Sequence, residues 1–224
     1  MLKILVTAGG TSEKVDDVRR ITNSGTGRLG AKIADAFLAG GRECAVTYIC
    51  SENAVRPEHD ADVRVCDDVD SVKEAVEKAC AENKYDVMIH SMAISDYRVK
   101  AVRDSLSSAQ DIRESKISSD KEELIVVLEK APKIIALLRG LAPDAVIVGF
   151  KLLSDANEEE LVRAGHALLL KNDCDFVFAN DMKTVRINRH EGILIARDGT
   201  YERAEGKDGI AALITERVLN KLSG

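Results

Sequence analysis

Short apolar runs alternate along this chain with stretches whose apolar residues recur at helical spacing. Leu2–Val6 reads as a buried strand, Leu29–Leu38 as a helix stopped by Gly40-Gly41, and Cys44–Ile49 as a second strand. Ser51–Asp60, with Pro57, is a polar loop, and Val63–Val65 a short third strand. Asp67–Asn83 places Val69, Val72, Val76, Ala79 and Cys80 on one helical stripe, and Tyr85–Ile89 is again a buried strand. The alternation predicts an α/β fold: a Rossmann-like, doubly wound, mostly parallel sheet with helices on both faces and right-handed crossovers.

The second half continues the rhythm with two interruptions. His90–Tyr97 leaves a strand C-terminus, and Arg98–Glu122 is polar with weak periodicity, long enough to predict a flexible flap near 98–122. Leu124–Leu128 returns to strand, Ala131-Pro132 opens a helix reaching about Leu138, and Ala145–Gly149 is a strand. Glu158–Leu170 is helical, with Asp155 or Asn157 as its N-cap, and Asp175–Phe178 is a strand. Ile193–Arg197 and Tyr201–Ala204 flank Asp198-Gly199, a type I′ hairpin signal that predicts a C-terminal β-hairpin extending the sheet at one edge. Gly206–Leu222 closes the chain as a helix, and the absence of repeats or a composition break predicts one domain over 1–224.

The stretch the pattern leaves unexplained is Thr7–Gly30, between the first strand and the first helix. Connections of this kind usually run about 2–6 residues, so one this long, carrying Gly9, Gly10 and Gly25, predicts a binding loop. At the C-terminal edge of an open α/β sheet, it is placed to hold phosphate against a helix N-terminus.

Composition narrows the ligand. Hydrophobic residues make up 45% of the 224 and charged residues 31%, as in an ordinary globular protein. The net charge of -6 argues against nucleic acid, and with no apolar run near the ~20 residues of a membrane span no membrane partner is expected. Five cysteines, with no C-x-x-C pair, predict reduced and mostly buried thiols in a cytoplasmic protein.

Gly25–Gly30 spells G-x-G-x-x-G, which by itself suggests a nicotinamide dinucleotide. That fingerprint needs its first glycine directly after the strand, and an acidic residue closing the second strand, where this chain reads Tyr48-Ile49-Cys50-Ser51. The loop can instead meet phosphates through Gly9, Gly10, Ser24, Gly25 and Thr26, with Arg19 and Asn23, four apart, facing one carboxylate or phosphate. Asp96, past a strand end, is placed for Mg²⁺ or a nucleotide hydroxyl, or serves only a turn. Lys116, in the flap, is placed to meet a polyanion or is simply solvated. His90 and His166 lack partners at zinc-ligand spacing, and neither a G-x-S-x-G elbow nor a P-loop occurs.

Taken in order, VTAGGT (6–11), DVRRITNSGTGRLG (17–30), SMAISDYR (91–98), KISS (116–119), GFK (149–151) and AND (179–181) resemble phosphopantothenate–cysteine ligase, in its stand-alone bacterial form, over nearly the whole chain. The resemblance implies a two-step ligation: the carboxylate of 4′-phosphopantothenate attacks a nucleoside triphosphate, and cysteine then displaces the nucleotide to form an amide, in coenzyme A biosynthesis. It implies that Asn23 holds the acyl region and acts with Lys116 in catalysis. Arg19 and Asn180 would contact substrate. Gly9, Gly10, Ser24, Gly25, Thr26, Ala93, Asp96, Lys116, Lys130, Ala131, Pro132, Phe150 and Lys171 would meet the nucleotide. CTP is the expected co-substrate, as the compact, stand-alone bacterial form implies; ATP is the alternative, because the flap reads KISS and GFK-LL is similar to the eukaryotic version. Mg²⁺ would be held mainly by the triphosphate. A homodimer with shared sites is implied, and a separate decarboxylase acting next. No FMN is expected, since the chain starts at the ligase. An NAD(P)-binding reductase and a non-catalytic nucleotide-binding module are the competing readings.

Overall fold

Eight strands form one sheet in a computed structural model that describes all residues except Ala109, Arg113, Ile187 and Asn188, and the Arg186 side chain. In chain order the elements begin β1 (Leu2–Ala8), β2 (Ser12–Lys14), β3 (Arg20–Thr22), α1 (Arg28–Ala39), β4 (Cys44–Cys50), β5 (Asp62–Val65), α2 (Val69–Glu82) and β6 (Val87–His90). They continue with β7 (Tyr97–Arg103), β8 (Ile125–Lys130), α3 (Ile135–Leu141), β9 (Val146–Leu153), α4 (Glu158–Lys171), β10 (Phe176–Asp181), α5 (Met182–Arg186), β11 (Glu191–Ala196), β12 (Tyr201–Glu205) and α6 (Lys207–Ser223).

The strand order is β12-β11-β10-β9-β6-β1-β4-β5. From β10 to β5 the pairs are parallel, and β11 and β12 add an antiparallel edge. A parallel strand covered on both faces must be apolar on both, and β1 shows how this works. Ile4 and Val6 pack with Ile33 and Phe37 of α1 and Ile214 and Val218 of α6. Leu5, pointing the other way, packs with Val72 and Val76 of α2 and Leu138 of α3. All three β1 side chains are buried, and each such burial contributes about 2 kcal/mol. The helices start where capping chemistry allows. Asp68 and Ser71 form a capping box on α2, and Asn157 with Glu160 forms one on α4.

Several expectations need correction. Asn157, not Asp155, caps α4, while Asp155 takes φ 62 in the preceding loop. Pro132 does not open a helix; the Ala131 amide donates to the Asp96 carbonyl at 3.0 Å and α3 begins only at Ile135. The turn at Asp198-Gly199 is not type I′, because only Gly199 has positive φ. Gly199 N donates to Ala196 O and Ala196 N to Thr200 O, so the turn is a type I turn closed by a glycine in the left-handed region. Overlapping the start of the expected flap, Tyr97–Arg103 is strand β7, paired antiparallel with β8 in a sheet of their own, whereas Ala109 and Arg113 lie outside the described residues. All five cysteines are free, and burial pushes the Cys66 and Cys174 thiols up to about 11. Among the described residues no helix is long and apolar enough to cross a membrane.

Candidate functional site

Beyond Ala8 the chain does not turn straight into α1. The ends of β1 and β6 stay together for three more residues: Ala93 N donates to Gly9 O at 2.8 Å and Thr11 N to Ala93 O at 3.1 Å. The chain then makes a short excursion, β2 pairing antiparallel with β3, and returns so that Asn23 N donates to Thr11 O at 3.0 Å. Asn23 Nδ2 donates to Ala93 O at 3.2 Å, so this one residue ties the returning strand to both sheet ends, by its amide to the β1 side and by its side chain to the β6 side. This folding-back needs glycine. A Cβ on Gly10 would collide with the Asn23 carbonyl oxygen, and one on Gly25 with that of Gly9. Both glycines are therefore required by the loop's own packing, whatever else it binds.

From Gly27, in the left-handed region, the chain enters α1 with no side-chain cap and no acidic residue in the first turn. Uncapped amides and the positive end of the helix dipole favour an anion there. Beside this end lies a cleft of about 300 Å³ between the loop (Gly10, Asn23, Gly25, Arg20) and Ser51 and Asp67 at the ends of β4 and β5. The Arg20 guanidinium stands 3.4 Å from Asp67, and Ser51 Oγ accepts from Gly10 N at 3.3 Å. A larger cavity, about 540 Å³, lies far along the sheet against β11 and β12 and touches none of the expected site residues. Volume alone would choose that cavity. The glycine-dependent backbone approach and the open helix end favour the smaller cleft.

Apart from Arg19, Lys116 and Lys171, the expected residues fall into three groups. Gly9, Gly10, Asn23, Ser24, Gly25, Thr26 and Ala93 come together at the α1 end. Asp96 joins Lys130, Ala131 and Pro132 through the Ala131–Asp96 backbone bond, and Lys133, not anticipated, forms an ion pair with the Asp96 carboxylate. Phe150 and Asn180 follow on β9 and β10, with Phe150 stacked at a tilt on Phe178, ring centroids 5.9 Å apart. In strand order these positions line the C-terminal edge of the sheet.

One expectation fails on geometry, and a second meets a competing contact. Arg19 and Asn23 flank β3 on an extended backbone, four residues or about 13 Å apart, and the Arg19 guanidinium is engaged by the Asp16 carboxylate and the Ile117 carbonyl. Lys171 ends α4, which runs from the C-terminal end of β9 back to the start of β10, so it sits at the opposite edge of the sheet. The G-x-G-x-x-G run straddles the start of α1, but the β2–β3 excursion separates it from β1, and the dinucleotide turn is not built.

His90 is a core residue: it is buried and shares a 2.9 Å hydrogen bond with the Thr7 hydroxyl, and burial holds its imidazole down at about 4. A second residue not foreseen, after Lys133, is Asp16, whose carboxylate is fully buried in the β2–β3 turn. Burial raises its pKa, but the amides of Val18, Arg19 and Ile117 and the Arg19 charge outweigh that and hold it at about 2. The only sequence signal was an acidic residue before a turn, which is common on any surface. Among the described residues no group of three or more His, Cys, Asp or Glu could hold a metal ion.

Against known proteins, the sequence pattern described as the DNA/pantothenate metabolism flavoprotein C-terminal domain matches residues 1–222. The coenzyme A biosynthesis bifunctional protein CoaBC of Thermococcus kodakarensis is 35% identical over 196 residues, which is 88% of this chain and 45% of that protein. The chain thus spans about half the length of the curated relatives it matches. The crystal structure of the DNA/pantothenate metabolism flavoprotein from Streptococcus pneumoniae superposes with a TM-score of 0.87 at 33% identity, covering 99% of this chain and 100% of that one. A Cab2 H337A mutant in complex with phosphopantothenate-cysteine shares the fold, with a TM-score of 0.75 at 21% identity over 98% of this chain and 86% of that one.

Proposed function

The chain belongs to the family of the DNA/pantothenate metabolism flavoprotein C-terminal domain, and from that premise we propose that it is a ligase joining 4′-phosphopantothenate to L-cysteine. The observation that carries the reading is the convergence of Asn23, Ala93 and the glycine cradle beside the uncapped α1 N-terminus. In the first step a substrate carboxylate oxygen bonds to the α-phosphorus and pyrophosphate leaves. In the second the cysteine amine bonds to the acyl carbon, the nucleoside monophosphate leaves, and the amine gives up a proton to solvent. Both nucleophiles belong to substrates, so no nucleophilic side chain is required.

This chain's residues position and neutralise. The α1 N-terminus receives triphosphate oxygens. Asn23, with one amide N–H on Ala93, offers its other N–H and its oxygen to the acyl group. Lys116 brings a positive charge from the flap. Among the described residues Asp96 belongs to no cluster of metal-ligating side chains, and Mg²⁺ would arrive with the triphosphate, supplying charge neutralisation. CTP is the proposed nucleotide, with ATP the alternative. A homodimer is part of the reading, and Tyr97 and Leu128, exposed on the β7–β8 hairpin, offer apolar surface to a second copy.

The test is the half-reaction with CTP and ATP side by side. Pyrophosphate should appear only when 4′-phosphopantothenate is present, and CMP only after cysteine is added. Release of pyrophosphate with ATP alone would reassign the nucleotide; release with neither would overturn the ligase.

A further inference from the structure

We propose that Asp16 is a positioning residue that latches the flap onto the opening loop and so sets the place of Lys116. The proposal rests on the ligase reading for what Lys116 does, but not for the latch itself. Asp16 Oδ1 accepts from Val18 N at 2.8 Å and Arg19 N at 2.6 Å, which fixes the turn. Its Oδ2 accepts from Arg19 Nη1 at 2.6 Å and, across about a hundred residues of sequence, from Ile117 N at 3.2 Å. Two further bonds bracket the same place: Asp17 N donates to Ser115 O at 2.8 Å, and Arg19 Nη1 to Ile117 O at 3.4 Å. Ser115 and Ile117 are thereby fastened on either side of Lys116. Ile117 is 2% exposed and serves as the plug, while the Lys116 side chain stays exposed.

The chemistry of the latch is specific to a carboxylate. Both oxygens face donors, four in all, so each must accept. An asparagine has the same shape but presents N–H groups to one side, leaving either the turn amides or the Ile117 amide and Arg19 facing a donor. Hydrogen bonds to a charged group are among the stronger ones, and losing the set shifts the closed flap toward open by about tenfold to a hundredfold.

Asp16→Asn tests this, read by trypsin cleavage after Lys116 and by the two half-reactions. We expect cleavage to rise about tenfold or more, and amide formation to fall further than pyrophosphate release. The loss should also be non-additive with Lys116→Gln, the double variant being no worse than Lys116→Gln alone. Unchanged cleavage or fully additive losses would overturn the latch. If Lys116→Gln is itself fully active while Asp16→Asn still exposes the flap, the latch stands and the role of Lys116 in the ligation falls. Should Asp16→Asn not fold, Ile117→Pro removes the flap's amide donor instead; because trypsin does not cut a Lys–Pro bond, this variant is read by Glu-C cleavage after Glu114, where the same rise is expected, and protection equal to the parent protein's would overturn the proposal.

Discussion

His90 closes β6 with its Nδ1 bonded to the Thr7 hydroxyl, and its burial keeps it neutral down to about pH 4. An unfolded chain would bind a proton on this histidine near pH 6.5, and the folded chain does not. Stability linked to His90 is therefore complete above about pH 6.5 and falls as pH drops toward 4, by up to about 3 kcal/mol. Urea unfolding at pH 7 and pH 5 checks this: the midpoint should be lower at pH 5, and less so in His90→Gln. Gly10 gives a second residue-scale prediction. Its missing Cβ makes room for a carbonyl that cannot swing away, because Asn23 is tied at its own amide and side chain. Gly10→Ala should cost about 1–3 kcal/mol and disturb Asn23. Wild-type stability together with wild-type amide formation would show that the loop yields more easily than this. The glycines and Asn23 stood out in the sequence as residue types. Their reason, a backbone packed against its own return strand, could not be read there, and a buried Asp16 looked like any surface acid.

Elements with a long period were legible. The stripes of α1, α2 and α6 and the apolar runs of β1, β4 and β9 needed only local spacing. Shorter or irregular elements were not. β2 and β3 have three residues each, too few to show a period. In β7 the register shifts between Val99 and Ala101, which breaks the alternation, so Arg98–Arg103 looked like part of a polar flap. Helix length also overrode motif order at Lys171. Fourteen residues carry α4 about 21 Å, the full depth of the sheet, and take its last lysine away from the nucleotide edge. Lys171→Ala should leave the nucleotide KM within about twofold of the parent value, as for a surface substitution. A tenfold rise in steady-state assays would return Lys171 to the site.

At the scale of the whole molecule, strand–helix alternation implied a parallel sheet, but not the order that puts β1 between β6 and β4. That order turns residues far apart in sequence into neighbours along one edge, from Ser51 after β4 to Asn180 on β10. Five strands give that edge a length of about 19 Å, room for a nucleotide and an extended acyl substrate end to end. The opening excursion lies near the centre of this edge, and its two ends are pinned to each other at Thr11 and Asn23. A loop fastened at its neck keeps its base still, while its body makes contacts of its own: Ser12 N donates to Asp67 O, Glu13 accepts from Val69 N and Asp16 holds Ile117. Its exposed positions, such as Val18, can be exchanged without moving the cradle at Gly10 and Gly25. The neck thus divides one stretch of sequence into a fixed seat for the ligand and an outer segment that can be retuned to whatever closes over it.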